Sequence, residues 1–375
     1  MKILLKAPNW IGDCVMATPA VAYLRCAFPS AKLVMLSRRS TAGIWQDHPL
    51  LDELIVADDR ELTREQIARL RRQNFDAALL LPNSFRSAWT IWRCGIPRRF
   101  GYNRAGRIWF LTDPLSFRRR DWQTPAPQPV SKKSLRPSRN DKPPRHMVEY
   151  YLDLAVYAAS RLGANCPPPI VDRTHALPPL VLPVQPTAAA AVHQLLLQEG
   201  VSSTTPLIGI HPGAAYGSAK RWPLDRLARA ADVLARQLDA TVIITAGPTE
   251  QELSAQLARN ISAPVLELGP RLDLPALAAL LQRLRLFLGN DTGVTHMAAA
   301  VGTPTVVVFG PMDWNVTHPW APCTRIVRRS PPCAPCFLRE CPVDHRCMND
   351  VSPEQVIEAA YSLLAQGEGG SHVPG

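Results

Sequence analysis

Residues 286–311, LFLGNDTGVTHMAAAVGTPTVVVFGP, contain a complete strand–turn–helix–strand pattern. The apolar run Leu286–Leu288 leads into a polar turn, a small-residue helix is predicted over Val294–Val301, and a second apolar run covers Thr305–Phe309. Short apolar strands joined by helices are typical of a parallel sheet that is covered on both faces. Polar residues between two such strands predict a ligand site at the carboxyl end of the first strand.

The same alternation of strands and helices occurs in both halves of the chain. In the first half, the predicted strands are Ile3–Leu5, Leu33–Leu36, Leu54–Val56 and Ala77–Leu81, and the predicted helices are Val15–Ala27 and Arg64–Arg72. In the second half, the predicted strands are Leu207–Ile210, Thr241–Thr245, Val265–Leu268, Leu286–Leu288 and Thr305–Phe309, and the predicted helices are Leu224–Gln237, Glu250–Ala258, Leu274–Arg283 and Val294–Val301. The pattern predicts an α/β protein with two doubly wound domains that face each other across a cleft.

Proline-rich segments and composition divide the chain further. The stretch 175–186, HALPPLVLPVQP, predicts a boundary between a domain at 1–180 and a domain at 181–352, followed by a helix at 353–366 and a disordered tail at 367–375. Residues 118–146 carry nine basic residues, two acidic residues and six prolines, a composition that predicts a mobile surface loop, to which we assign no role.

The charge of the 375-residue chain is uneven. The formal net charge is +11, but residues 201–375 contain 14 Lys or Arg and 15 Asp or Glu, which leaves 28 basic and 16 acidic residues in the first 200. This excess favours an acidic partner for the first half, either nucleic acid, an anionic membrane or a phosphorylated substrate, although a solvated basic surface explains it equally well. No signal peptide and no spanning segment is recognised, so we expect a cytosolic protein with reduced cysteines.

A second candidate site lies in IGIHPGAAYGSAKRWPLD, residues 208–225. The glycines Gly213 and Gly217 allow the backbone to approach an anion closely, and Lys220 supplies a positive charge. An ordinary turn between a strand and a helix is the alternative interpretation. Neither a Walker loop nor a G-x-G-x-x-G pattern is present, which argues against a standard dinucleotide oxidoreductase.

Two acidic residues are candidates for direct contact with a substrate. In the turn 289–293, the helix N-terminus suits a phosphate, whereas Asp291 is better suited to accept hydrogen bonds from sugar hydroxyls. In APNWIGDCVMATPA, residues 7–20, Asp13 follows a predicted strand at the start of a helix and would be an ionised base at neutral pH. Each of them is also explained as a simple helix N-cap.

Taken together, three segments resemble the bacterial lipopolysaccharide heptosyltransferases of glycosyltransferase family 9. They are NWIGDCVMATP, HPGAAYGSAKRWP and GNDTGVTHMAAAVGTPTVVVFGP, and the ending CAPCFLRECPVDHRCMNDVSPEQV is similar to the end of many members. The resemblance implies a GT-B architecture of two Rossmann-like domains, ADP-heptose as the donor, and the heptosylated, phosphorylated inner core of lipid A as the acceptor.

The resemblance also implies roles for individual residues. Asp13 corresponds to the proposed general base, Lys220 to the residue at the donor diphosphate, Glu250 to the carboxylate at the adenosine ribose, and Asp291 to the residue that holds the heptose. The full set of implied donor-binding residues is Gly213, Gly217, Ser218, Lys220, Glu250, Asn290, Asp291, Thr292, Gly293 and His296.

The chemistry that follows is an inverting displacement in which Asp13 deprotonates the acceptor and Lys220 stabilises the departing ADP. We expect no metal and no cofactor. We also expect the protein to be cytoplasmic and peripheral to the inner membrane, with basic side chains of the first half meeting core phosphates and the anionic leaflet. The candidates for these contacts are Arg86, Arg93, Arg98, Arg99, Arg104 and Arg107.

The end of the chain carries four cysteines with the spacing C-x₂-C-x₄-C-x₅-C, at Cys333, Cys336, Cys341 and Cys347. This spacing leaves open a structural zinc or iron–sulfur site, free thiols or a labile disulfide. Two alternatives to the heptosyltransferase prediction also remain: a GT-B transferase with another nucleotide-sugar donor, and a basic nucleic-acid-binding protein. The second is disfavoured because the basic residues follow no nucleic-acid motif.

Overall fold

A computed structural model describes residues 1–57, 62–116, 145–169 and 178–368. The predicted loop 118–146 therefore lies outside the described residues except for its last two, and so do residues 369–375 of the predicted tail. The described residues up to 183 form one compact unit, and those from 184 onward form a second. In these ranges, no helix combines the length and the apolar composition that a membrane crossing requires.

Unit 1 contains a six-stranded sheet in the order β3-β2-β1-β4-β5-β6, in which every neighbouring pair is parallel. Its strands are β1 Lys2–Lys6, β2 Lys32–Arg38, β3 Glu53–Ala57, β4 Ala77–Leu80, β5 Arg98–Tyr102 and β6 Asp113–Leu115. Its helices are α1 Ile11–Met16, α2 Thr18–Ala27, α3 Arg39–Ala42, α4 Arg64–Arg72, α5 Phe85–Arg93 and α6 Met147–Arg161. Because β1 lies between β2 and β4, the strand order reverses beside β1, where open α/β sheets bind their ligands.

The helix predicted over Val15–Ala27 is in fact two helices that meet at Ala17. Pro19 has no backbone N–H, so it cannot donate to the carbonyl of Val15 as a continuous helix requires. The Thr18 hydroxyl bonds to that carbonyl instead, at 2.8 Å. The first helix also begins earlier than predicted, at Ile11, which places Asp13 inside its first turn.

Unit 2 repeats the strand order of unit 1 in a second parallel sheet, β12-β11-β10-β7-β8-β9. Its strands are β7 Leu207–His211, β8 Thr241–Ile244, β9 Val265–Glu267, β10 Leu286–Asn290, β11 Thr305–Phe309 and β12 Thr324–Arg328. Its helices are α7 Pro186–Gln198, α8 Leu224–Leu238, α9 Gln251–Arg259, α10 Leu274–Arg283, α11 Gly293–Ala300, α12 Trp314–Thr317, α13 Arg346–Asn349 and α14 Pro353–Glu368. In this sheet the order reverses between β7 and β10.

All nine strands predicted from apolar runs are present, and the helices at Arg64–Arg72 and Leu274–Arg283 have the predicted bounds. Three further strands, β5, β6 and β12, were missed. The sequences RRFGY and TRIVR place arginines in β5 and β12, and β6 is a three-residue edge strand that contains a proline, which only an edge position tolerates well. The prediction of a doubly wound α/β protein is confirmed.

Candidate functional site

The turns after β7 and β10 meet at the point where the strand order of unit 2 reverses. Lys220 ends a short 3₁₀ turn, Ser218–Lys220, and its Nζ lies 2.5 Å from Asp291 Oδ2 and 3.3 Å from the Asp291 carbonyl. Both side chains are well shielded, with 11% of Lys220 and 5% of Asp291 exposed. The two residues that sequence analysis assigned to separate turns therefore form one buried ion pair.

Asn290 joins the same two turns through its side-chain amide. Its Nδ2 donates to the carbonyls of Pro212, at 3.0 Å, and Gly213, at 3.2 Å, while its Oδ1 accepts from the Trp222 backbone N–H at 3.0 Å. The side chain thus fixes the position of the Lys220 turn relative to β10. Its predicted contact with a donor stays a prediction.

Glu250 lies against the turn that follows β7. Its Oε2 accepts from the Gly247 N–H at 3.0 Å and lies 3.6 Å from His211 Nε2. A Cβ at Gly213 would lie 2.2 Å from this carboxylate, so a larger residue there would require Glu250 to move. Burial lowers the pKa of His211, and the nearby Glu250 opposes that shift.

Residues 337–345, a segment near the end of the chain, contact the Lys220 turn and support it. The Tyr216 hydroxyl donates to the Phe337 carbonyl at 2.8 Å, and the Ala219 N–H donates to the Arg339 carbonyl at 2.9 Å. A Cβ at Gly217 would lie 2.3 Å from that same Arg339 oxygen. Glycine is therefore required here because the two backbones are in close contact.

The N-terminus of α11 begins directly after Asp291. Thr292 is the N-cap residue but makes no side-chain cap, so the first N–H groups of the helix are available to an anion. The Thr295 hydroxyl donates to the Asn290 carbonyl at 2.6 Å and holds the turn closed. Gly293 is the first residue of the helix, where it adds no side chain in front of these donors.

His296 is buried one turn into α11 and lies near the Asp291 oxygen that does not bond to Lys220. Its Nε2 is 3.9 Å from Asp291 Oδ1, and its Nδ1 has no hydrogen-bond partner among the described residues. Burial lowers the pKa of His296 to about 4, against a smaller opposing effect of Asp291. The imidazole is therefore neutral at pH 7, and it shapes the site without adding charge.

In unit 1, Asp13 is the third residue of α1, at the carboxyl end of β1. Its Oδ1 accepts a hydrogen bond of 3.1 Å from the hydroxyl of Tyr151 on α6. Burial, and next the Asp13 charge, raise the pKa of Tyr151 well above its usual range, so this hydroxyl stays protonated and donates at all working pH values. Sequence analysis missed Tyr151 because nothing in the sequence links positions 13 and 151.

The basic residues of unit 1 are mostly used within the protein. Arg107 is fully buried and donates to the carbonyls of Tyr102 and Pro82, so its predicted contact with core phosphates or the membrane is wrong. Arg98 pairs with Asp113 at 2.6 Å, and Arg99 donates to the Phe110 carbonyl at 2.6 Å. The excess of arginine in the first half therefore partly reflects internal structure.

The four clustered cysteines are free thiols, and Cys347 is buried. Burial, followed by the neighbouring thiols of Cys336, Cys333 and Cys341, raises the pKa of Cys347 to about 12. Across the described ranges, no group of three or more His, Cys, Asp or Glu side chains is arranged to hold a metal ion.

A family model described as glycosyltransferase family 9 (heptosyltransferase) matches residues 63–346. The chain belongs to this family. Members with similar sequences include lipopolysaccharide heptosyltransferase 2 of Escherichia coli strain K12, which is 26% identical over 98% of this chain and 100% of its own. Lipooligosaccharide heptosyltransferase 2 of Haemophilus ducreyi strain 35000HP is 27% identical over 97% of this chain and 100% of its own.

The structural likeness agrees with the family. The structure of E. coli ADP-heptose LPS heptosyltransferase II is 25% identical, covers 98% of this chain and 100% of the other, and gives a TM-score of 0.76. The predicted GT-B fold and the predicted glycosyltransferase activity are thereby confirmed.

Proposed function

We propose that this family 9 transferase moves heptose from ADP-heptose to the heptosylated inner core of lipopolysaccharide, with inversion at the anomeric carbon. Family membership and the names of the full-length relatives support this choice of donor and acceptor. The observation that carries the proposal is the buried Lys220–Asp291 pair at the reversal of strand order in unit 2.

The pair suits a sugar diphosphate because its two halves bind different parts of one molecule. Lys220 and the free N–H groups of α11 attract the diphosphate, while Asp291 accepts hydrogen bonds from sugar hydroxyls. Before the donor binds, each charge neutralises the other. When the donor binds, the ammonium exchanges the carboxylate for phosphate oxygens, and Asp291 is released toward the heptose.

Glu250 completes the donor site in this proposal by binding the adenosine ribose. Its position next to Gly213, on the turn after β7, supports that role because carboxylates at this end of a doubly wound sheet accept ribose hydroxyls. His296, Thr292 and Gly293 surround the heptose side of the site, and Ser218 starts the turn that carries Lys220.

The reaction needs a base for the acceptor hydroxyl and positive charge for the leaving group. Asp13 supplies the base, and the Tyr151 hydroxyl holds its carboxylate in place through a hydrogen bond to Oδ1. Lys220 and the N-terminus of α11 stabilise the negative charge that develops on the departing ADP. One displacement transfers the sugar and inverts its anomeric centre.

We also place the enzyme at the inner face of the membrane that holds its acceptor. Supporting this is a group of exposed apolar side chains on unit 1: Trp109 is 85% exposed, Phe85 50% and Trp92 48%. On α5, Arg86 follows Phe85 and Arg93 follows Trp92. Aromatic rings beside basic groups are typical of surfaces that rest on anionic lipid headgroups.

A transfer assay with purified acceptor and either ADP-heptose or UDP-glucose tests the function. We expect product with ADP-heptose only, with inverted anomeric configuration by NMR. Asp13→Asn should lower kcat by about 10²–10⁴-fold with unchanged donor affinity. The matched control is Asp47→Asn on the exposed surface of the same unit, which should retain full activity. Equal turnover of UDP-glucose would overturn the assignment of ADP-heptose as the donor. Full activity of the Asp13 variant would overturn the assignment of Asp13 as the base.

Membrane contact is tested separately by flotation with vesicles. We expect binding to vesicles that contain phosphatidylglycerol, weaker binding after Trp109→Ser, and none to pure phosphatidylcholine. Equal flotation of wild type and variant would reject this surface.

A further inference from the structure

Unit 1 contains an open pocket at the carboxyl ends of its central strands. Residues from β1, β2 and the start of α5 contribute to its lining, among them Lys6, Asn9, Arg38, Ser84, Arg86 and Thr90. The pocket lies where the strand order of this unit reverses, as the donor site does in unit 2. Asn9 belongs to the loop that leads from β1 into α1, which also carries Asp13.

Lys6 brings a positive charge into this pocket, and none of the described residues that line it is a carboxylate. Within the described ranges, its Nζ has a single hydrogen-bond partner, the Leu36 carbonyl at a long 3.4 Å. Burial, and next the charge of Arg38, lower the pKa of Lys6 to about 8. A buried ammonium with one weak partner is unfavourable alone and becomes favourable when an anion joins it.

The other charges of the pocket have the same sign. Arg38 ends β2, and its guanidinium makes no hydrogen bond or ion pair with the described residues. Arg86 lies in the first turn of α5, a nine-residue helix whose N-terminus opens on this side. No acidic residue is among those described as lining the pocket. Hydroxyls of Ser84 and Thr90 and the amide of Asn9 provide neutral hydrogen-bond donors.

We propose that this pocket binds an anionic group of the acceptor, a phosphate ester or a sugar-acid carboxylate, with Lys6 and Arg38 as its principal ligands. The identity of the acceptor in this proposal rests on the proposed function. The pocket lies at the end of β1, close in sequence to Asp13. By binding a charged group of the acceptor there, it orients the hydroxyl that Asp13 deprotonates. The pocket would thereby select an acidic acceptor over a neutral oligosaccharide.

Protonation of Lys6 gives the pocket a signature that a purely structural lysine lacks. An anion favours the charged ammonium, so binding near pH 8 takes up a proton, and affinity falls as the pH rises further. Lys6→Arg keeps a charge that does not titrate in this range. Its anion affinity should therefore stay constant where that of the wild type declines.

Binding of inorganic sulfate, whose charge is constant with pH, is measured by calorimetry between pH 7 and 9.5. We expect saturable binding to wild type that weakens above pH 8, pH-independent binding to Lys6→Arg, and loss of about tenfold or more in affinity for Lys6→Met and Arg38→Gln. Arg72→Gln, an exposed arginine of α4, is the matched control and should bind as wild type does. Melting temperatures confirm that each variant is folded.

Steady-state kinetics with intact and dephosphorylated acceptor then identify the source of the anion. Lys6→Met should raise the KM for intact acceptor, with donor KM unchanged. The effect should shrink with the dephosphorylated acceptor when the bound group is a phosphate, and it should persist when the bound group is a sugar-acid carboxylate. A sulfate affinity that is equal in wild type and Lys6→Met overturns the proposal. Loss of binding to phosphatidylglycerol vesicles without a change in acceptor KM assigns the pocket to lipid headgroups and also overturns it.

Asp58 and Asp59 follow the pocket residue Ala57 in the sequence and lie outside the described residues. If sulfate bound only after Asp58→Asn/Asp59→Asn, an internal carboxylate would fill the pocket and the proposal would be wrong. A protein that fails to transfer heptose at all, but binds sulfate as described, contradicts the proposed function and leaves the anion pocket standing.

Discussion

The Nζ of Lys220 lies 2.5 Å from Oδ2 of Asp291, although the two residues are 71 positions apart in sequence. Parallel pairing of β7 with β10 brings the ends of these strands together, with Ile208 opposite Leu286 and His211 opposite Gly289. The ion pair is therefore a product of topology, and its contributions to stability and to donor binding can be separated experimentally.

Removal of Lys220 alone should destabilise the protein. Lys220→Met leaves the Asp291 carboxylate buried without its counter-ion, and we expect a loss of about 3 kcal/mol in the free energy of unfolding. Lys220→Met/Asp291→Leu removes both charges and should recover most of that loss, while ADP-heptose binding stays absent in both variants. Denaturant titrations and calorimetry measure the two quantities. A double variant that is as unstable as the single one would show that the unpaired Asp291 charge does not cause the loss of stability.

The Tyr151 hydroxyl should contribute to the rate without contributing to donor binding. Tyr151→Phe removes the hydrogen bond that orients Asp13, and we expect kcat to fall about tenfold with unchanged donor KM. Tyr150→Phe is the matched control, because its hydroxyl donates to Asn83 Oδ1 at 2.8 Å on the same helix. Equal losses in the two variants would indicate a general effect on α6 packing.

Buried histidines should make the protein sensitive to acid. Burial lowers the pKa of His296 to about 4, whereas the unfolded imidazole binds its proton near pH 6.5. The unfolded state thus holds more protons between these values, so stability falls as the pH decreases from 6.5 to 4, by about 3 kcal/mol for this group.

The pKa values of His211 and His48 are lowered as well, so the comparison must isolate His296. His296→Gln should show a shallower loss of unfolding free energy in guanidinium titrations across this pH range. His193→Gln, an exposed position on α7, should follow the wild type. A His296 variant with the wild-type slope would show that its imidazole is not buried as described.

Two thiols of unit 1 are placed to form a disulfide under oxidation. Cys26 Sγ on α2 lies 3.8 Å from Cys166 Sγ in the segment after α6, and Cys26 is exposed. Diamide should accept two electrons and two protons from the pair, and the new bond should raise the unfolding free energy by about 2–4 kcal/mol. Mass spectrometry of tryptic peptides identifies the link. Cys26→Ser should lose it, and an unchanged thiol count in oxidised wild type would refute the proximity.

The sequence predicted those parts of the fold that have a strong local signal. Central strands such as β7 and β11 are continuous apolar runs, so they were found, whereas β5 begins with two arginines that resemble a solvent-exposed surface. Arg98 looks exposed in the sequence because its partner, Asp113, is 15 residues away on the next strand. A local pattern has no means of indicating that such a charge is already paired.

Site prediction had the same limit. Asp13, Lys220 and Asp291 lie within three residues of a glycine in turns that follow apolar runs, and this pattern marked their turns. Two contacts depend on tertiary packing: the bond between Lys220 and Asp291, and the contact of Tyr151 with Asp13. Neither corresponds to a sequence spacing that could predict it. The role of Asn290 as a link between two turns was equally invisible, because its partners are backbone atoms.

The cysteine-bearing end of the chain forms the floor beneath the Lys220 turn, through Phe337, Arg339 and the bond between His345 Nε2 and the Ala219 carbonyl at 2.7 Å. Cys336 is next to Phe337 in sequence, and Cys341 is two residues after Arg339. A reagent that alkylates either cysteine would displace the segment that supports the Lys220 turn. Inactivation by thiol reagents is usually taken to indicate a reactive nucleophile. In this enzyme it would instead indicate that Lys220 has moved from its position.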